Sequence, residues 1–413
     1  CLWRAVKQPS VWRGLLLAGA TVAVSTLDLM PLAYFAAPVT ILTLIHFLLH
    51  DREQVLSAPA LRTLGIGFGV TALVVLPFLW PLASKGLRGE LAFYQAAGIN
   101  EYSADALALF VPPPGHLICS LWPALWHFSA QLIAEEAYME SIVYAGWVTL
   151  GLAAWGAANG WDRHKDVPLW VAVAVGASIL ALGPILQVGG RIITLGGQPL
   201  RMPYSLVEST PLVGWGRTPA RLNLSAMFAM AILASYGVSQ LLDNVRDGLL
   251  RQVLALGLVG VVLLDSTFLF PWPVAAAHVP EVYKDIASDA RSVAVLDLPV
   301  LVYQADKYYM LNQMTHGHAI VGGHSYRRPP GAQERMTYFE NLAGPGGDPT
   351  ALGDYGIGYV VLHRDFLDED RFAVLAAHLE DHLGPPLNAD TRIVAFGVAD
   401  AAEIAPPPLQ TTP

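Results

Sequence analysis

The sequence predicts an α-helical polytopic membrane domain followed by a small extracytoplasmic α/β domain, and three observations carry that prediction. Hydrophobic residues make up 54% of the chain and charged residues 14%, with a mean hydropathy of +0.46, where a soluble domain has roughly 25% charged residues. Seven apolar runs approach the roughly 20 residues that a spanning helix needs. Beyond Trp272 the runs shorten into segments rich in β-branched residues, as strands do. The expected division is a helical domain over 1–274, with long outer loops at 84–140 and 189–218, then an α/β domain over 275–400. The proline-rich end, 401–413, is expected to be disordered.

Taken in order, the candidate spans are Trp12 to Leu27, Leu29 to Leu49, Arg62 to Leu82, Ser141 to Asn159, Pro168 to Val188, Pro219 to Leu242 and Leu250 to Phe270. Positive charge is retained on the cytoplasmic side of a membrane, so the connections give the orientation. With the N-terminus inside, the short inner segments carry Arg4, Lys7, Arg13, Arg52, Arg62, Arg163, Lys165, Arg246 and Arg251. The outer segments carry Lys85, Arg88, Arg191, Arg201, Arg217 and Arg221, spread over longer loops. Seven spans then leave everything after Phe270 outside the cytoplasm. The loop stretch LWPALWHF supplies aromatic rings suited to a membrane interface, either as an interfacial helix or as a loop capping the bundle.

In the C-terminal part SVAVLDL (292–298), AIVG (319–322), GYVVL (358–362) and RIVAFGV (392–398) read as strands. Asp368 to Leu383, with Phe372, Leu375 and Leu379 at helical spacing, reads as an amphipathic helix. This part holds nine Lys/Arg against eighteen Asp/Glu, while residues 1–274 hold fifteen of each. An acidic domain repels nucleic acid and anionic lipid heads, which sets nucleic-acid binding aside; the lipid bilayer is the expected partner of the apolar spans. Two cysteines, Cys1 and Cys119, supply neither a disulfide framework nor a Cys-rich metal site.

Three groups of residues are candidates for chemistry. Asp28 stands between two apolar runs, where an unpaired charge is costly and tends to face a cavity or a partner; a plain helix cap explains the same position. Arg217 and Arg221 flank Pro219 at the mouth of a predicted helix, with Pro at a favoured first-turn position. Two planar guanidinium forks beside a helix N-terminus suit phosphate. Pairing with Glu208, loop carbonyls or lipid headgroups is the structural alternative. His316, His318 and His324 form an HGH and a third histidine, with two of them on a predicted strand and no carboxylate at fixed spacing, so no metal site is expected there. A serine hydrolase is excluded by the missing G-x-S-x-G elbow.

Two stretches carry a resemblance. RMPYSLVESTPLVGWGRTPARLNLSAMFAMAILASYGVSQLL, from Arg201 to Leu242, and YYMLNQMTHGHAIVGGHSYRRPP, from Tyr308 to Pro330, are similar to segments of bacterial multi-spanning proteins related to the GT-C glycosyltransferases. Together they cover about a sixth of the chain. The resemblance implies a GT-C-like frame in the bacterial inner (plasma) membrane and transfer of a sugar from a polyprenyl-phosphate donor to a cell-envelope acceptor at the outer face. It also implies Asp28 as a catalytic carboxylate that either activates the acceptor or holds a divalent metal ion, Arg217 and Arg221 as the phosphate-binding pair, and further spans upstream of Cys1. Asp28 does not sit in a recognisable catalytic motif of that group. A non-catalytic scaffold or envelope-assembly protein on the same frame is therefore the alternative. A transporter is less well supported, because no span centre carries an ionisable pair.

Overall fold

A computed structural model describes residues 1–27, 32–88, 100, 102–133, 140–208, 218–243, 245–267, 278–323, 331–389 and 392–403. The chain divides into two units, Cys1–Pro273 and Val274–Pro413.

The first unit is helical. Its main helices are α1 (Leu2–Lys7), α2 (Val11–Leu27), α3 (Ala37–His50, entered through a π turn at Leu32–Ala36), α4 (Ala58–Leu87), α5 (Trp147–Gly160), α6 (Val167–Ala181), α7 (Asn223–Asp243) and α8 (Gly248–Asp265). Among the described residues three stretches are long and apolar enough to cross a membrane: Ala58–Pro81, Pro219–Asp243 and Gly248–Asp265. The other four predicted spans correspond to helices of 14 to 17 residues. Backbone geometry shortens two of them. The run from Ser141 becomes helical only after Gly146, whose φ is +87, and the run from Pro168 stops short of Gly183, whose φ is +73. Both values favour glycine and break a right-handed helix. At 1.5 Å per residue, the 14 residues of α5 span about 21 Å, against about 30 Å for a hydrocarbon core.

Helices α5, α6 and α7 form the packed centre, with Ala153, Val173, Ala226, Ala229, Met230 and Leu233 buried between them. The closest approach is between α5 and α7. A Cβ on Gly156 would lie 2.0 Å from the Leu233 carbonyl oxygen, and one on Gly237 would lie 2.2 Å from that of Leu152. Two backbones in direct contact leave room only for glycine, the small-residue pairing typical of helices in membranes. By contrast α8 and the second half of α4 turn large apolar side chains outward, with Leu256 72% and Phe78 80% exposed. Such faces are stable against hydrocarbon and costly against water.

Polar side chains of this unit gather at the helix ends. At one end Lys7 pairs with Asp51 at 2.6 Å, Tyr236 donates to Asp166 at 2.7 Å, and Arg251 meets Asp243 at 3.5 Å. The aromatic stretch in the 84–140 loop is helical, over Leu117–Leu121 and Pro123–Gln131, with Leu121, Trp122 and Trp126 exposed.

The second unit is a three-layer α/β fold. Its elements are α9 (Val282–Ala287), β1 (Ala294–Leu298), α10 (Tyr303–His316), β2 (Ala319–Ile320), α11 (Ala332–Ala343), β3 (Ile357–His363), α12 (Glu369–Leu383), β4 (Asn388–Ala389) and β5 (Ile393–Gly397). The strand order is β2-β1-β3-β5-β4, with β2, β1 and β3 parallel and β5 and β4 added antiparallel. One sheet face buries Leu296, Leu298, Val360, Leu362 and Phe396 against Met336, Phe372, Leu375 and Leu379 of α11 and α12. Val295, Val361 and Ala395 face the opposite way, against Val282, Tyr283 and Ile286 of α9. Asp368 caps α12 by accepting from the Arg371 N–H at 2.8 Å. The tail beyond residue 403 lies outside the described residues.

Candidate functional site

The mouth of α7 is the best-built polar site of the helical unit. Pro219–Leu222 forms a 3-10 turn with proline at its start, and α7 continues from Asn223. The Ala220 N–H donates to the Tyr102 carbonyl at 3.1 Å. Buried Asn223 donates to the Val143 carbonyl at 2.9 Å, and buried Ser225 to that of Tyr34 at 2.8 Å. One turn of sequence is thereby tied to three distant segments, which fixes where Arg221 emerges.

Arg221 meets Glu140 at 3.3 Å, with side-chain exposures of 34% and 19%. Glu140, and not Glu208, is thus its partner, because the turn at Pro219 aims Arg221 at the segment that precedes α5. Tyr204 is buried beside Tyr34 in the cluster beneath, and that burial pushes its phenol well above the usual range, with Tyr34 adding to the effect. Asp28 and Arg217 lie outside the described residues.

Two further carboxylates shape this end, and neither stood out in the sequence. Asp105 is 2% exposed and accepts from the N–H groups of Leu107 and Gly190, each at 2.8 Å, which joins the two long loops. Asp265, the last residue of α8, accepts from the Tyr144 hydroxyl at 2.8 Å and the Val148 N–H at 2.7 Å. Its carbonyl lies 2.9 Å from His116 Nε2. A carboxylate at its own helix C-terminus opposes the helix dipole, but Val148 belongs to the first turn of α5, whose dipole favours it. Asp265 therefore caps α5 from a neighbouring helix. Burial raises the Tyr144 phenol, and the hydrogen bond to Asp265 adds to the rise.

Among the described residues no group of three or more His, Cys, Asp or Glu side chains is arranged to hold a metal ion, so no step proposed below passes through one. His316 is not on a strand as the alternation suggested. It ends α10, because Gly317 takes a left-handed φ of +73 and terminates the helix there. His324 lies outside the described residues. Comparison of the chain with protein-family models, curated proteins and solved structures gives no match.

Proposed function

We propose that this chain acts in a membrane as a glycosyltransferase-like protein, in which Arg221 binds the phosphate of a polyprenyl-phosphate-linked sugar. One observation carries the reading: Arg221 is one-third exposed at the mouth of α7 and, among the described residues, is held by one carboxylate, Glu140, at 3.3 Å. Strong charge-assisted pairs close to about 2.7–2.9 Å. A phosphate offers more acceptor oxygens than Glu140 now provides, and the planar guanidinium fork can take two of them at once. Displacement leaves the Glu140 carboxylate beside the donor. It then accepts the proton of the acceptor hydroxyl as that oxygen bonds to the anomeric carbon, and the phosphate departs with the electron pair of the broken bond. Asp28 and Arg217 belong to the same proposal, as a second carboxylate and a second phosphate fork. The proposed setting is the outer face of a bacterial inner membrane, with the α/β unit extracytoplasmic.

The test is transfer from a synthetic polyprenyl-phosphate sugar by the full-length protein in vesicles. Arg221→Lys keeps the charge and loses the fork, so transfer should fall about tenfold or more, equivalent to about 1.4 kcal/mol, with the unfolding midpoint unchanged. Transfer unaltered in Arg221→Lys removes the phosphate role. The second reading, a non-catalytic scaffold, is favoured by Arg221 already having a partner within the chain. It predicts no transfer by the unaltered protein and a lowered midpoint in Glu140→Gln.

A further inference from the structure

The α/β unit buries a polar cluster on the α9 and α10 side of its sheet that the proposal above does not use. Asp297 of β1 is 1% exposed and accepts from the Tyr283 hydroxyl at 2.5 Å, with His363 Nε2 at 2.9 Å from the same oxygen. His316 is 4% exposed, and its ring stacks on Tyr283 at 5.5 Å and on His318 at 5.8 Å. Its Nδ1 lies 3.1 Å from the backbone N–H of His318 and accepts from it. A ring nitrogen that accepts carries no proton, so His316 is neutral and its proton sits on Nε2. That Nε2 is enclosed and has no hydrogen-bond partner among the described residues.

The bond from His318 to His316 lies at the entrance to β2, an edge strand of two residues. The other ties are few: His318 Nε2 lies 3.0 Å from the Ile286 carbonyl of α9. Ala319 and Ile320 pair with Ala294 and Val295, the Val321 N–H donates to the Val295 carbonyl at 2.9 Å, and Gln313 reaches the His318 carbonyl at 3.1 Å.

We propose that His316 is an acid-opened latch: a proton taken at Nδ1 turns that acceptor into a donor, sets it against the His318 N–H, and frees β2 and Val321–Gly323 from the sheet edge. Nδ1 is where the second proton must go, since Nε2 already holds one. The surrounding groups set the direction of the response. Tyr283 of α9 and His363 of β3 already engage Asp297 of β1, whose charge would favour a cation there, and the His318 ring, just before β2, lies against the stack. Burial holds the His316 imidazole below its ordinary value of 6.5, with Asp297 opposing and His318 adding. The latch is therefore closed at neutral pH and opens as pH falls below that value.

Hydrogen exchange of the full-length protein in lipid nanodiscs tests this at about pH 7.5 and about pH 5, corrected for intrinsic exchange. Peptides covering 317–323 should lose protection about tenfold or more in acid, while α12 and β3 keep theirs. His316→Asn keeps a side-chain acceptor but cannot take the proton, so its protection should match at the two pH values. Unchanged protection of 317–323 in the unaltered protein, equal loss across the whole unit, or an undiminished response in His316→Asn would each overturn the latch. Should His316→Asn fail to fold, His318→Gln decides. It leaves the backbone N–H in place, so the acid response should persist, and its disappearance would assign the response to the His318 ring instead.

Discussion

Gly156→Ala is the substitution whose effect the helical unit defines most sharply. The new Cβ would stand 2.0 Å from the Leu233 carbonyl oxygen and 2.6 Å from the Gly237 nitrogen, where ordinary contact begins at 3.4 Å. Neither neighbour is a side chain that can swing away. The α5 and α7 axes must move apart by about the difference, 3.4 minus 2.0, or 1.4 Å, at their crossing. Over-packing a tight core costs about 1–3 kcal/mol, and two rigid backbones place this case at the upper end, near 3 kcal/mol. Gly151→Ala on the same helix is the control, since its Cβ meets nothing within 4 Å. Helix propensity makes that change neutral or stabilising by up to about 1 kcal/mol. Reversible unfolding in mixed micelles, followed by circular dichroism, compares the two. Equal midpoints for Gly156→Ala and Gly151→Ala would refute the close crossing. The double variant Gly156→Ala/Gly237→Ala should cost less than the sum of its parts, because one separation of the helices relieves both clashes.

Asp265→Ala leaves the Tyr144 hydroxyl and the Val148 N–H without their acceptor, an expected loss of about 2–4 kcal/mol in the same assay, with Tyr144→Phe costing about 1 kcal/mol. An Asp265→Ala midpoint equal to that of the unaltered protein would show that α8 is not docked through this residue. In the α/β unit, hydrogen bonds from Arg291, and then from Tyr359, hold Asp289 far below its ordinary value of 3.8. A depressed folded-state value means stability that is complete above the unfolded value and is lost as pH falls through the folded one. Asp289→Asn should therefore destabilise by under about 1 kcal/mol near pH 7 and progressively less in strong acid. A difference that grows on acidification would contradict the pairing. The proposed topology predicts that a reporter fused after Pro413 is active only when that end is outside the cytoplasm, and activity of a cytoplasm-only reporter there would sink it.

The apolar helices and the β-branched strands were legible because their signals are local. Val295, Leu296 and Val360 to Leu362 sit in strands that their own composition announces. Helix ends were less legible. Whether a glycine stops a helix depends on what approaches it, and Gly183 is forced by Ser103, whose Oγ would lie 1.9 Å from an added Cβ. Helix α10 escaped notice for a different reason. Its buried positions Ala305, Asp306, Tyr309, Asn312 and His316 recur at helical spacing, but three of the five are polar, so a hydrophobic pattern has nothing to register. The same limit governs the candidate site. Arg221 announced itself by its place before an apolar run, whereas its partner Glu140 lies 81 residues away in an unremarkable loop. Asp265 was the more recoverable case. It fell inside a run predicted to span a membrane to Phe270, and a carboxylate in such a run must find a partner or a way out. Followed through, that rule ends the helix at Asp265 and demands donors from another segment. Tyr144 and the first turn of α5 supply them.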